Sequence, residues 1–169
     1  MLVLVIGGAA SGKSSYAEER LLELPGPRCY IATMRPYGEE GLARIERHRG
    51  LRAGKGFSTI ECETDIVGID MPAGASALLE DIGNLVANEM FDEDGGVHDV
   101  AAKIADDVLA LAARVSNLVV VTNEVGGGSE PHDDGTSAYI EAMGEVNALI
   151  AAAADEVHEV VVGIPIRLK

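Results

Sequence analysis

The sequence predicts an α/β fold in which a mostly parallel, twisted sheet carries helices on both faces. Five short apolar runs, several of them rich in β-branched residues, alternate with segments of helical periodicity. A glycine-rich turn joins the first apolar run to the first helical segment. Because parallel strands need crossover connections, this alternation is typical of a sheet covered by helices on each side.

Each predicted element has its own signal in the chain. The predicted strands are LVLVI at 2–6, CYIAT at 29–33, SALLE at 76–80, NLVVVT at 117–122 and EVVVGIPI at 159–166. Helices are predicted at 14–24, 39–48, 100–115 and 137–154. In the third helix the apolar residues recur every three or four positions, which places them on one face. Segments 49–72, 92–99 and 126–135 lack periodicity and are predicted as loops.

Composition limits the classes of function. The chain of 169 residues fits one compact domain, 1–169. Its formal charge of −15 repels nucleic acid and anionic membranes, so we expect neither as a partner. The first apolar run has no basic leader and no run reaches the length of a membrane span, so we expect a cytoplasmic protein. The two cysteines show neither metal-ligand spacing nor a disulfide framework.

A phosphate-binding loop is the strongest motif. The segment GGAASGKS fits the pattern G-x-x-x-x-G-K-[ST] between a predicted strand and a predicted helix, so the fold is predicted to be P-loop NTPase-like. Backbone N–H groups and the helix N-terminus would bind the phosphates, Lys13 would bridge the β- and γ-phosphates, and the Ser14 hydroxyl would hold Mg²⁺. The alternative is a glycine-rich turn without a ligand. The predicted loop residues are Gly7, Gly8, Ala9, Ala10, Ser11, Gly12, Lys13 and Ser14.

Carboxylates follow two of the predicted strands. Glu80 and Asp81 lie at the end of SALLE, and Glu124 follows NLVVVTN. Ligands of open α/β sheets gather at the carboxyl ends of the strands, so each is a candidate for the metal side of the site. A solvated turn residue is the alternative for each of them.

A basic segment, residues 43–55, interrupts the acidic chain. It holds five of the thirteen cations, namely Arg44, Arg47, Arg49, Arg52 and Lys55. Neighbouring cations favour the neutral imidazole, which makes His48 a candidate nucleophile beside a bound anion. The alternative is a surface helix whose charges are solvated. The other histidines, His98, His132 and His158, are predicted to be structural or exposed to solvent.

Several motifs in their order and spacing resemble one family over nearly the full length. They are GGAASGKS, YIAT at 30–33, ARIERHRGLR at 43–52, the T-x-E of Thr59–Glu61, LLEDIGNLVAN at 78–88, VVVTNEVGGGSEP at 119–131, VNALIAAAADEV at 146–157 and GIPIRLK at 163–169. The chain resembles the bifunctional adenosylcobinamide kinase/adenosylcobinamide-phosphate guanylyltransferase family of cobalamin biosynthesis. The motifs RIxxHRxxR and TNEVG are the most specific for this family, because the P-loop is shared by many enzymes.

The resemblance implies two activities. A kinase step would phosphorylate adenosylcobinamide from ATP or GTP, and a second step would transfer GMP from GTP through a histidine-guanylate to the corrinoid phosphate. By the same resemblance His48 is the guanylylated residue, Arg44, Arg49 and Arg52 bind the triphosphate, Glu61 belongs to the nucleotide site, and Glu80 serves catalysis and Mg²⁺. A cytoplasmic homo-oligomer, commonly a trimer, is also implied.

The chain departs from the family pattern after TNEVG. Relatives usually carry an arginine pair there, whereas this chain has Ser137 and Ile140, and no Lys or Arg lies between Val115 and Ile166. Two alternatives therefore stay open. One is a guanylyltransferase or small-molecule kinase with a single activity, and the other is a non-catalytic GTP-binding sensor.

Overall fold

The computed structural model describes residues 1–36, 38, 41, 46, 49, 50, 54–91, 96–126 and 132–169. Most of the predicted helix at 39–48 lies outside the described residues, and so do His48, Arg44 and Arg52.

A seven-stranded sheet forms the centre of the fold, in the order β3-β2-β4-β5-β1-β6-β7. All neighbouring strands are parallel except β6 and β7, which are antiparallel. The strands are β1 Leu2–Gly7, β2 Arg28–Ala32, β3 Ser58–Glu61, β4 Ser76–Glu80, β5 Asn117–Asn123, β6 Glu156–Val161 and β7 Ile164–Arg167. The predicted parallel α/β sheet is confirmed.

Helices cover both faces of this sheet, as predicted. They are α1 Lys13–Glu23, α2 Ile82–Met90, α3 Ala101–Arg114 and α4 Asp134–Ala153. Successive side chains of a strand point to opposite faces. Val3 and Val5 of β1 accordingly pack on the α1 side, while Leu2 and Leu4 pack in the core shared with α2, α3 and α4. None of the helices in the described ranges is long and apolar enough to cross a membrane.

The prediction of one strand at 159–166 is wrong. Two antiparallel strands, β6 and β7, occupy this region, and the chain reverses at Val162 and Gly163. Both turn residues have left-handed backbone, with φ of +46° and +82°. Glycine adopts this conformation without steric cost, so the apolar run folds back on itself.

Three further elements were absent from the prediction. Strand β3 and a 3₁₀ turn at Ile66–Gly68 lie within the predicted loop 49–72. Helix α2 begins at an N-cap in which the Asp81 carboxylate accepts a hydrogen bond from the Asn84 N–H at 2.7 Å. It spans only nine residues, and β3 is a four-residue strand at the sheet edge. Such short elements carry too few residues for a clear period.

The sheet register brings the candidate residues to one edge. Gly7 at the end of β1 is aligned with Asn123 at the end of β5. Ala32 at the end of β2 is aligned with both Glu61 of β3 and Glu80 of β4. The carboxyl ends of five strands thus lie along the edge of the sheet at which α1 begins.

Candidate active site

The phosphate-loop segment turns sharply between β1 and α1, and its two outer glycines are required by close contacts. A Cβ on Gly7 would lie 2.6 Å from Ser11 Oγ and 2.7 Å from the Val160 carbonyl oxygen. Gly12 is the N-cap of α1 with φ of +92°, and its Cβ would lie 3.3 Å from Gly163 Cα. The loop therefore needs glycine at both positions for steric reasons.

Lys13 is the first residue of α1 and lies across this loop. Its side chain is largely buried, with 8% of the residue exposed. The ammonium group donates a hydrogen bond to the Gly8 carbonyl oxygen at 3.1 Å. This partner is a neutral carbonyl, so the ammonium charge is available to an anion bound in the loop.

Ser14 and Glu80 connect the phosphate loop to the end of β4. The Ser14 hydroxyl donates a hydrogen bond to Glu80 Oε1 at 2.5 Å. The second carboxylate oxygen, Oε2, is buried without a hydrogen-bond partner among the described residues. Burial raises the pKa of the Glu80 carboxyl to about 7, against the opposing effect of the Ser14 hydrogen bond.

A hydroxyl oxygen beside an unpartnered carboxylate oxygen fits a magnesium ion. Mg²⁺ takes oxygen ligands and usually binds through one or two protein groups together with substrate phosphates. The buried Oε2 atom of Glu80 also needs a positive partner, because an unpaired buried oxygen is costly. Ser14 and Glu80 are therefore the described residues that suit the predicted Mg²⁺.

The three candidate carboxylates have different surroundings. Asp81 caps α2, and its other carboxylate oxygen is 3.4 Å from the Asn123 side-chain nitrogen. Glu124 is exposed, and its backbone N–H donates to the Gly7 carbonyl oxygen at 3.1 Å. Of the three, only Glu80 contacts a residue of the phosphate loop through its side chain.

A cavity of about 440 Å³ opens beside the loop. Its described lining combines loop residues, polar residues from the strand ends, two cationic side chains and several apolar side chains. These residues are Ala9, Ala10, Lys13, Ser14, Tyr30, Ala32, Met34, Pro36, Glu46, Arg49, Glu61, Glu63, Glu80, Asp81, Asn84 and Asn123. The volume suits a small-molecule ligand.

Arg49 and Glu61 form an ion pair at the far side of the cavity. Glu46 also accepts a hydrogen bond from Arg49, at 2.8 Å. The hydrogen bond to Glu61 is the largest cause of a raised pKa of the Arg49 guanidinium. Both residues line the cavity, as their predicted role in a nucleotide site requires, but they are paired with each other. That role stays a prediction.

The histidines that the sequence assigned to structural or solvent positions fall into two groups. His98 and His132 are exposed. His158 is only 8% exposed and lies between Tyr16 and Glu156, within hydrogen-bond distance of both. His48 and its neighbours Arg44 and Arg52 lie outside the part of the chain that the structure describes.

Sequence reasoning missed two amides in the cavity wall, Asn84 and Asn123. Asn123 is the last residue of β5, so its place at a strand end was an available signal. Asn84 lies in the first turn of α2, a helix that was not predicted.

A parallel sheet with a GxxxxGKS loop between its first strand and first helix defines a P-loop NTPase fold. The same fold occurs in the solved structure of a prototypical ATPase from the type III secretion system of pathogenic bacteria. That structure superposes with a TM-score of 0.54 at 9% identity, over 94% of this chain and 50% of the other.

The particular family follows from the sequence comparisons. A family model described as cobinamide kinase / cobinamide phosphate guanyltransferase matches residues 3–168, and the chain belongs to this family. The bifunctional adenosylcobalamin biosynthesis protein CobU of Salmonella typhimurium is 36% identical, and that of Escherichia coli is 35% identical, each over 100% of both chains. CobP of Pseudomonas aeruginosa is 28% identical over 98% of this chain and 96% of its own length.

Proposed function

We propose that this protein is a transferase of cobalamin biosynthesis with two activities. It phosphorylates adenosylcobinamide with ATP or GTP, and it transfers GMP from GTP to adenosylcobinamide phosphate, forming adenosylcobinamide-GDP. One observation carries the proposal. Lys13, Ser14 and Glu80 come together at the edge of a cavity in a chain that its family model matches from residue 3 to residue 168.

In the kinase step, the described residues bind and orient the nucleotide. The Lys13 ammonium contacts the phosphates in place of the Gly8 carbonyl, and the N-terminus of α1 adds its partial positive charge. Ser14 and Glu80 would hold Mg²⁺, which would neutralise charge on the phosphates. The oxygen of the corrinoid hydroxyl attacks the γ-phosphorus and its proton is released to solvent, so a new O–P bond forms while the bond to the nucleoside diphosphate breaks.

In the guanylyl step, we assign the nucleophile to His48. A nitrogen of its imidazole attacks the α-phosphorus of GTP, an N–P bond forms, and pyrophosphate leaves. A phosphate oxygen of the corrinoid then attacks the same phosphorus and releases the histidine. The cations of the basic segment support the assignment. Two of them are described: Arg49 lines the cavity, and Lys55 pairs with Glu18.

Labelling with GTP tests the function. Protein incubated with Mg²⁺ and α-labelled GTP should acquire an acid-labile, base-stable label, and γ-labelled GTP should leave none on the protein. His48→Ala should abolish the label, whereas His132→Ala, which changes an exposed histidine, should keep it. A label that persists in His48→Ala would exclude this nucleophile. The kinase activity is measured separately, as transfer of γ-label to adenosylcobinamide.

Self-association is part of the proposal, with a trimer as the expected form. The last strand and the residue after it support self-association, because Ile164, Ile166 and Leu168 are 60%, 45% and 60% exposed. Exposed apolar patches of this kind are typical of interaction surfaces. Light scattering on the eluting protein measures the mass, and a mass of one chain would contradict this part. The cytoplasmic location stays a prediction.

A further inference from the structure

The turn of the β6–β7 hairpin, Val162 and Gly163, contacts the phosphate loop directly. The Gly163 N–H donates a hydrogen bond to the Ser11 carbonyl oxygen at 2.7 Å. Its Cα also lies against Gly12, where a Cβ would be 3.3 Å away. The contact thus joins residues that are separated by about 150 positions, and Gly163 does not belong to the phosphate-loop motif.

The same hairpin also holds the first turns of α1. The Tyr16 hydroxyl and His158 Nδ1 share a hydrogen bond of 2.5 Å, and His158 Nε2 lies 3.0 Å from Glu156 Oε2. The same Glu156 oxygen accepts from Arg20 at 3.3 Å. Tyr16 and Arg20 are both on α1, so side chains of β6 anchor the helix that follows the loop. The hairpin and the loop therefore form one connected unit.

The hydrogen bond to Ser11 constrains the next N–H group. The Ser11 carbonyl and the Gly12 N–H belong to one planar trans peptide, in which the two groups point in opposite directions. When the carbonyl is held toward the hairpin, the N–H is held away from it. The cavity lies on the side of the loop formed by Ala9, Ala10 and Lys13, and Gly163 is not part of its lining.

We propose that Gly163 is a positioning residue for phosphate binding. Its N–H holds the Ser11–Gly12 peptide in the orientation that directs the Gly12 N–H to the phosphates of the nucleotide. The proposal rests on the nucleotide-binding function proposed above. In a loop whose glycine backbone has no side chain to restrain it, an external hydrogen bond keeps the donor oriented before the ligand arrives.

The backbone conformation at the turn explains why residue 163 is glycine, and it indicates which substitutions can test its role. Gly163 has φ of +82°, and a Cβ there would meet nothing within 4 Å. A substitution therefore acts through backbone conformation and not through a clash. Gly74 offers a matched control, because it has φ of +72°, has no atom within 4 Å of its Cβ position, and lies in the turn before β4.

Titration calorimetry on the full chain tests the role, with Mg²⁺ and α,β-methylene-GTP, a GTP analogue whose α–β linkage cannot be cleaved. Gly163→Val should raise the Kd for this nucleotide by about tenfold, the loss expected for one hydrogen bond to a charged group. Gly163→Asn should stay within about twofold of wild type, since asparagine tolerates the left-handed conformation and keeps the N–H. Gly74→Val should lower the Tm to a similar extent and leave the Kd unchanged.

The outcomes separate this role from the proposed function. Wild-type protein that binds neither GTP nor ATP contradicts the nucleotide-binding function. If the wild-type protein binds nucleotide and the Kd is the same in Gly163→Val and Gly74→Val, the proposed role of Gly163 is contradicted. The nucleotide-binding function is not.

A milder variant gives a second measurement should Gly163→Val fail to fold. In ¹⁵N–¹H spectra of the nucleotide-free protein, Gly163→Ala should displace the Gly12 amide resonance, and Gly74→Ala should leave it at the wild-type position. A Gly12 resonance at the same position in both variants would overturn the proposal.

Discussion

The two sides of the cavity are built differently. On the phosphate side, Lys13 is largely buried, and the Ser14–Glu80 pair links the start of α1 to the end of β4. On the opposite side, the Arg49–Glu61 pair is made by side chains that are about half exposed. Packing therefore fixes the contacts on the phosphate side, whereas water competes for the charged groups of the Arg49–Glu61 ion pair. We expect substitutions on the phosphate side to have the larger effects.

Lys13→Met should have the largest effect. Methionine keeps most of the length of the side chain and removes the charge that we propose contacts the phosphates, so we expect kcat/KM for both transfers to fall at least a hundredfold. The matched control is Lys55→Met, which removes an ammonium paired with Glu18 outside the cavity lining. Equal losses in the two variants would show that Lys13 has no special role.

The ionisation of Glu80 should make the metal-free protein less stable at higher pH. The pKa of this carboxyl is about 7 in the folded chain, above the ordinary value of 4.5. The folded state therefore binds the proton more tightly, and stability is lost as the pH rises from about 4.5 to about 7, by up to about 3 kcal/mol.

Urea unfolding in the presence of EDTA, repeated across this pH range, measures the effect. Glu80→Gln should flatten the profile between pH 4.5 and 7, because the amide does not titrate. Glu124→Gln changes an exposed strand-end carboxylate and should leave the profile as in wild type. A steep profile that survives in Glu80→Gln would assign the titration to another group.

Glu80→Gln should also weaken the response to magnesium. Replacing the unpartnered Oε2 atom by an amide removes a negative ligand, so we expect the Mg²⁺ concentration for half-maximal activity to rise about tenfold. An activity that responds to Mg²⁺ as in wild type would place the metal elsewhere.

Arg49→Ala should have the smallest effect. We expect GTP affinity to fall about threefold to tenfold at low salt, and less at high salt, since the guanidinium is exposed and screened. The Tm should stay close to the wild-type value, because surface ion pairs contribute little to stability. A large decrease in Tm would contradict the difference in packing between the two sides of the cavity.

The predicted sheet and helices depend on local patterns and were largely confirmed. Four of the five apolar runs lie mainly in one strand each, the fifth spans β6, a turn and β7, and the helix predicted at 100–115 is α3, Ala101–Arg114. The prediction of a single strand over EVVVGIPI was wrong because one strand and a hairpin of two strands share the same apolar composition. Gly163 was the available signal for a reversal, but only the contact of the turn with Ser11 shows why the chain reverses there.

The physical reason for choosing among the strand-end carboxylates came from the tertiary structure. Position at a strand end made Glu80, Asp81 and Glu124 equivalent candidates, and at the level of sequence only the family resemblance favoured Glu80. In the folded chain Asp81 caps a helix, Glu124 is exposed, and of these three only Glu80 has a side-chain hydrogen bond to the phosphate loop. Sequence position cannot separate them, because which side chain points into the site depends on the register of β4 beside its neighbours.

By itself, the sequence determined the fold class, the phosphate-loop motif and the family pattern, because these depend on residue types at short, regular spacings. Only the tertiary structure decided the pairing of Ser14 with Glu80, the unpartnered oxygen beside it and the contact of Gly163 with Ser11. The two contacts join residues that are far apart in the chain, so they form only after the strands have aligned in one sheet. The unpartnered oxygen is likewise buried only in the folded chain.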